Sequence, residues 1–119
     1  MSNNVLVVAE NNINAGQLDN LKALLMEMMD TIQRDEPGTL NYEWFIADDG
    51  KSVHVYERYA DSGACMAHLG NIGPKYGERL HACVTATKIT IYGNPSDKVR
   101  EVFAHYPTIY MSPFAGVAR

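Results

Sequence analysis

Three polar side chains fall among residues that otherwise read as core. Glu57 shares strand parity with Val53, Val55 and Tyr59. If that set faces helices, Glu57 is a carboxylate against an apolar wall, its acidity weakened and its competence as a base improved. The alternative is a strand-end carboxylate held by Arg58, Lys88 or Arg79. Asn11 closes the first strand on the parity of Val5, Val7 and Ala9, where its amide either reaches a cleft mouth or makes a turn. His68 stands one residue before Leu69, at the border of a helical apolar stripe. It is either a solvated boundary histidine or a cleft residue in the protonation range useful for catalysis. At a boundary, its replacement by alanine would change stability little. Tyr42, Trp44, Tyr56, Tyr59 and Tyr76 offer aromatic surface to a flat ligand, although core packing explains such residues equally well. Trp44, Tyr59 and Tyr76, with Ile72 of the helical stripe, are the candidate ligand contacts.

Other chemistries lack their signatures. There is no dinucleotide-binding Gly-x-Gly-x-x-Gly, no phosphate loop and no Gly-x-Ser-x-Gly elbow. The histidines at 54, 68, 81 and 105 show no His-x-His or His-x-x-x-His spacing, so no metal site is expected. Cys65 and Cys83 suit buried, unpaired thiols in a reducing cytoplasm. Ten Lys and Arg against fourteen Asp and Glu leave a net charge of −4, which argues against nucleic acid and anionic membrane surfaces. No apolar run approaches the ~20 residues of a membrane span, and the N-terminus does not read as a signal peptide.

Positioning these residues requires a particular order of elements. Val5 to Glu10 is apolar at both parities, a strand expected to be covered on both faces. Asn11 to Gly16 reads as a turn, with Asn14 and Gln17 resembling a capping box. Leu18, Leu21, Leu25, Met28 and Ile32 form one helical stripe, ended by Pro37-Gly38. Asn41–Ile46 and Ser52–Tyr59 alternate as strands around Asp48-Asp49-Gly50-Lys51, where Asp-Gly suits the positive φ angles of a tight hairpin. Asp61-Ser62 caps a second helix carrying Cys65, Leu69, Ile72 and Tyr76, with a break or kink expected at Pro74. Thr85–Tyr92 is a strand, Ser96 caps a short helix over Val99–Phe103, and Thr108–Phe114 is a last strand. The order β-α-β-β-α-β predicts an α+β, ferredoxin-like fold with an antiparallel sheet, plus a C-terminal helix and strand. One domain is expected over 1–119, its core about 5–92 and its extension 93–119. The open sheet face has nothing left in the chain to cover it, so a homodimer is expected.

Several segments together resemble a known family. Val-Ala-Glu-Asn (8–11) ends the first strand, and Glu36-Pro37-Gly38 with Thr39-Leu40-Asn41-Tyr42 leads into the second. Tyr56-Glu57-Arg58-Tyr59-Ala60-Asp61 then runs into Ala67-His68-Leu69. The pattern resembles the antibiotic biosynthesis monooxygenase (ABM) domain, a quinol-monooxygenase-like group of dimeric α+β barrels. The resemblance implies a homodimer with facing sheets, a cleft between sheet and helices, and oxidation of a small hydroxylated aromatic or quinol by O2 without metal, haem or flavin. It implies a base, hydrogen bonds to a developing oxyanion and a dry cleft, for which Glu57, His68 and Asn11 are the candidates. A haem-degrading branch shares Asn11 but has an aromatic residue where His68 stands, and Glu78 or Arg79 lies near its ligand position. The same scaffold also carries isomerases and non-catalytic, small-molecule-binding or stress-associated dimers.

Overall fold

A computed structural model describes residues 2–119. Eight elements follow in order: β1 Val5–Ile13, α1 Leu18–Asp35, β2 Thr39–Ile46, β3 Ser52–Tyr59, α2 Ser62–Cys83, β4 Val84–Tyr92, α3 Asp97–Phe103 and β5 Thr108–Met111. They form one mixed sheet ordered β2-β3-β1-β4-β5. The first four strands pair antiparallel in the ferredoxin-like arrangement, and β5 adds parallel to β4. The helix between β4 and β5 supplies the crossover that a parallel pair requires. β1 is central, so its two apolar parities are explained by one face under the helices and one outer face. On the inner face Val5 and Val7 are 1% and 0% exposed. The outer face leaves Phe45, Tyr92, Ile109 and Met111 exposed.

Several local expectations are corrected. β1 does not end at Glu10: Asn11 pairs with Val53 and Asn12 with Ser52, so the strand carries the polar residues to Ile13. Asn14 does not cap α1, whose N-cap is Gln17 without a side-chain hydrogen bond. Its amide instead donates to the Ala82 carbonyl at 3.0 Å, satisfying the last turn of α2. α2 continues through Pro74 without a break. Proline frees the carbonyl four residues earlier, and here Gly70 is exposed, so water can satisfy it. Only Gly50 takes a positive φ in the β2–β3 hairpin, at 71°, because the loop is longer than a two-residue turn. β5 stops at Met111 rather than Phe114. The caps by Asp61 on Ala64 and by Ser96 on Val99 are present.

Two apolar clusters fill the space between sheet and helices. One joins Leu21, Leu24, Met28 and Ile32 of α1 to Ile72 and Tyr76 of α2 and to Val53. The other joins Val5, Val7, Ile89 and Ile91 to Cys65, Val99 and Phe103. A cavity lies between the sheet, α2 and the end of α3.

Candidate functional site

The cavity encloses about 470 Å³, within the range of small-molecule sites. Five of the seven sequence candidates line it: Asn11, Trp44, Glu57, His68 and Ile72. Tyr59 and Tyr76 do not. Tyr59 is 1% exposed and donates its hydroxyl proton to Glu57 Oε1. It is therefore a support for the carboxyl. Tyr76 faces α1, where its hydroxyl meets Thr31 Oγ1 at 2.7 Å. Its helical stripe is correct, but at that turn the stripe meets a helix and not the ligand space.

β3 positions Glu57 as parity requires, inward between Val55 and Tyr59, and neither Lys88 nor Arg79 touches it. Burial pushes its carboxyl up to about 7; the Tyr59 hydrogen bond opposes this and the Glu36 charge adds to it. Such a group exchanges a proton near neutral pH. Burial by itself also raises the Tyr42 hydroxyl, with the Glu57 charge adding to the shift, so the phenol stays protonated. The Cys65 thiol is pushed up to about 12 by burial and then by Glu57, and is an inert neighbour.

His68 is not a boundary residue. Its side chain is 2% exposed, packed between the rings of Tyr42 and Tyr59 at centroid distances of 4.9 and 5.3 Å. Its Nδ1 lies 2.7 Å from Glu36 Oε1, and its Nε2 lies 4.0 Å from Glu57 Oε1. Burial lowers its pKa, with the Glu36 carboxylate opposing. Burial removes the basis for expecting His68→Ala to change stability little, since the substitution would open a cavity beside a buried carboxylate.

Glu36 has no counterpart among the sequence candidates. It is 6% exposed and accepts from Thr39 Oγ1 at 2.7 Å and from Asn71 Nδ2 at 2.8 Å, in addition to meeting His68. The local sequence explains its inward course. Pro37 disfavours helical backbone at the residue before it, and Glu36 leaves the helix at φ −126°, ψ 75°. Gly38 then passes so close to α2 that a Cβ there would lie 2.6 Å from Ala64 Cβ. A carboxylate at a helix C-terminus opposes the helix dipole. That mismatch, Glu before Pro-Gly at a helix end, is the signal available in the sequence.

Asn11 is 7% exposed, and its amide nitrogen donates to the Ala9 carbonyl at 3.3 Å, leaving its second N–H free for a ligand. Unbroken alternation of β1 against β3 keeps it inward, opposite Val53, while the register shift beside it falls on β4, where Thr87 is the extra residue. Trp44 Nε1 is buried and makes no hydrogen bond among the described residues. The wall opposite is apolar, with Leu80, Val84, Ile89 and Phe103, and it ends at His81, His105 and Tyr106. His81 Nε2 meets the Tyr106 hydroxyl at 3.2 Å, linking the last turn of α2 to the loop after α3. Among the described residues no cluster of three metal-ligating side chains occurs.

A ferredoxin-like sheet with a cleft under its helices, lined by a buried carboxyl and an imidazole, defines a class of small α+β proteins. Residues 4–77 match the family model described as antibiotic biosynthesis monooxygenase, and the chain belongs to that family. No curated protein sequence matches it. Among solved structures, MupZ from Pseudomonas fluorescens is 22% identical, with a TM-score of 0.85 over 100% of this chain and 91% of its own. SnoaB, a cofactor-independent oxygenase from Streptomyces nogalater, is 15% identical, with a TM-score of 0.67 over 80% of this chain and 96% of its own. A putative antibiotic biosynthesis monooxygenase from a Bacteroides species, B. thetaiotaomicron, is 22% identical, with a TM-score of 0.61 over 71% and 85%. At these identities the likeness concerns the fold.

Proposed function

We propose that this protein is a cofactor-independent oxygenase acting on a small hydroxylated aromatic or quinol. The observation that carries the reading is Glu57, tuned to about 7, facing His68 across 4.0 Å on the wall of a 470 Å³ cavity. A phenolic hydroxyl placed there loses its proton to the His68–Glu57 pair. The resulting anion is rich enough in electrons to pass one to O2. One oxygen atom enters the product, and the other leaves as water with two hydrogens from the substrate. Asn11 donates to the developing oxyanion. Trp44 offers an indole N–H that can donate to a ligand oxygen. Ile72 and the far apolar wall hold the ring and exclude water.

A second reading, an isomerase using the same groups, is favoured by one feature. The chain Tyr59–Glu57···His68–Glu36 contains both a proton acceptor and a proton donor, and needs no oxidant. Oxygen uptake separates the two. The purified protein is presented with hydroquinones, naphthohydroquinones and polyphenols, with and without chelator, and compared with Glu57→Gln. Uptake above the uncatalysed rate that falls in the variant supports the oxygenase. Product rearrangement without uptake supports the isomerase. Binding without either identifies a non-catalytic ligand carrier.

The reading includes a cytoplasmic homodimer in which a second copy covers the outer sheet face, where Phe45, Tyr92, Ile109 and Met111 stand exposed. Light scattering at micromolar concentration is expected to give twice the 13.2 kDa chain mass. A 13.2 kDa particle would refute the dimer.

A further inference from the structure

We propose that Glu36 is the positioning residue of this site, holding His68 in the Nδ1–H tautomer so that the Nε2 lone pair faces Glu57 and the cavity. Glu36 Oε1 is 2.7 Å from His68 Nδ1, and the same carboxylate accepts from Thr39 and Asn71, one on each side. An ionised carboxylate only accepts, so the nitrogen it meets is the one that carries the proton. The side chain is 3% exposed and stays behind His68, away from the cavity lining. It therefore acts through the imidazole and not on a ligand.

The consequence for proton transfer is specific. When a substrate O–H bond breaks and an Nε2–H bond forms, His68 becomes an imidazolium among aromatic rings, an environment that disfavours charge. Glu36 is the anion in hydrogen-bond contact with that cation, and no net charge is then buried in the pair. This is how a carboxylate supports a catalytic histidine without itself taking the proton. Glu57 is the other carboxyl near the ring, and it faces the opposite nitrogen. Tyr42 and Tyr59 pack against the ring at a tilt of 46° and Asn71 touches Glu36, none of them cationic. The contribution to turnover rests on the acid–base reading above; the tautomer and the charge pairing do not.

The test needs no substrate. Full-length protein labelled with 15N-histidine is read by long-range proton–nitrogen correlation, with the His68 signals assigned by their loss in His68→Gln. Wild type is expected to show His68 as a single Nδ1–H tautomer at pH 7.5. In Glu36→Gln, which keeps the shape, the His68 titration midpoint should fall by at least about one pH unit, a tenfold loss of proton affinity. An Nε2–H tautomer or a mixture in wild type overturns the proposal. So does a midpoint that moves by less than a third of that, or a wild-type His68 that stays neutral until acid unfolding. If Glu36→Gln does not fold, Asn71→Ala with Thr39→Val, which strips the carboxylate's other donors, must leave the wild-type tautomer in place. Failure of oxygen uptake leaves these spectra unaffected, so the two readings fail separately.

Discussion

Replacing Glu57 by glutamine should stabilise the protein at alkaline pH while disabling it. The carboxyl is 13% exposed, and its folded pKa is about 7 against an ordinary 4.5. A carboxyl raised on folding binds its proton more tightly in the folded state. Its contribution to stability is complete below pH 4.5 and is lost as pH rises through about 7. Each unit of that window is worth about 1.4 kcal/mol, so the whole amounts to roughly 3 kcal/mol. Glutamine is nearly isosteric, still accepts from Tyr59 and carries no charge to bury. Glu57→Gln should therefore match wild type only below pH 4.5, lead it by under about 1 kcal/mol at pH 5 and exceed it at pH 8 by up to about 3 kcal/mol, or roughly 10 °C in Tm for a domain of this size. The lowered pKa of His68 works in the opposite direction below its ordinary 6.5, costing stability as pH falls. Burial and Glu36, which set that shift, are common to both proteins, so most of the effect cancels in the difference between them. Urea denaturation from pH 5 to 8 at one fixed protein concentration measures it, because association would make stability concentration-dependent. Parallel pH profiles, or a variant weaker than wild type at pH 8, would refute the assignment of Glu57 as a buried acid that ionises at a cost.

Two further predictions concern the frame around the site. Gly38→Ala should destabilise by about 1–3 kcal/mol because its methyl would meet Ala64 Cβ at 2.6 Å. The pairing Gly38→Ala with Ala64→Gly should recover most of that loss in a denaturation series; no recovery would mean the contact is not what places the loop. Tyr76→Phe should cost about 1–3 kcal/mol by leaving the buried Thr31 hydroxyl without its 2.7 Å partner, with ligand binding unchanged in titration calorimetry. A change in affinity without a change in stability would return Tyr76 to the ligand site.

What the sequence disclosed, and what it withheld, follows from the range of each physical rule. Parity along a strand is local, so the inward direction of Glu57, Trp44 and Asn11 was readable from alternation. The inner face of Ser52–Tyr59 indeed buries Val53, Val55 and Tyr59. Depth is not local. Tyr59 and Glu57 share a parity, yet only Glu57 reaches the cavity, because Tyr59 sits deeper, against Cys65 and Val5. His68 has exposed Ala67 and Gly70 near it in sequence, which made it read as a boundary residue. Its burial comes from Tyr42 of β2 and from Glu36, 26 and 32 residues away. Glu36 was the least visible of all. A Glu before Pro-Gly at a helix end is ordinarily solvated, and only the close approach of Gly38 to α2 turns it inward.

The cavity also divides along a line that the family match draws. Its polar end, with Asn11, Tyr42, Trp44, Glu57 and His68, lies within residues 4–77. Its far wall, from Leu80 and Val84 to Phe103 and Tyr106, lies beyond them. The first group sits in paired strands and a capped helix, where moving one side chain disturbs sheet register or the core. The second group ends in residues 104–107, a loop held to α2 by the exposed His81–Tyr106 hydrogen bond and to β4 by the Ile89 N–H donating to the Pro107 carbonyl at 2.8 Å. A bond of that kind is worth only ~1 kcal/mol, and loop walls tolerate substitution far better than strands do. Changes of residue at 104–107 can therefore alter the length and polarity of the accepted ligand while leaving the Glu57–His68 pair in place. Under the proposed reading, β3 and α2 hold the acid–base pair, and ligand preference is the property that substitutions at 104–107 would change.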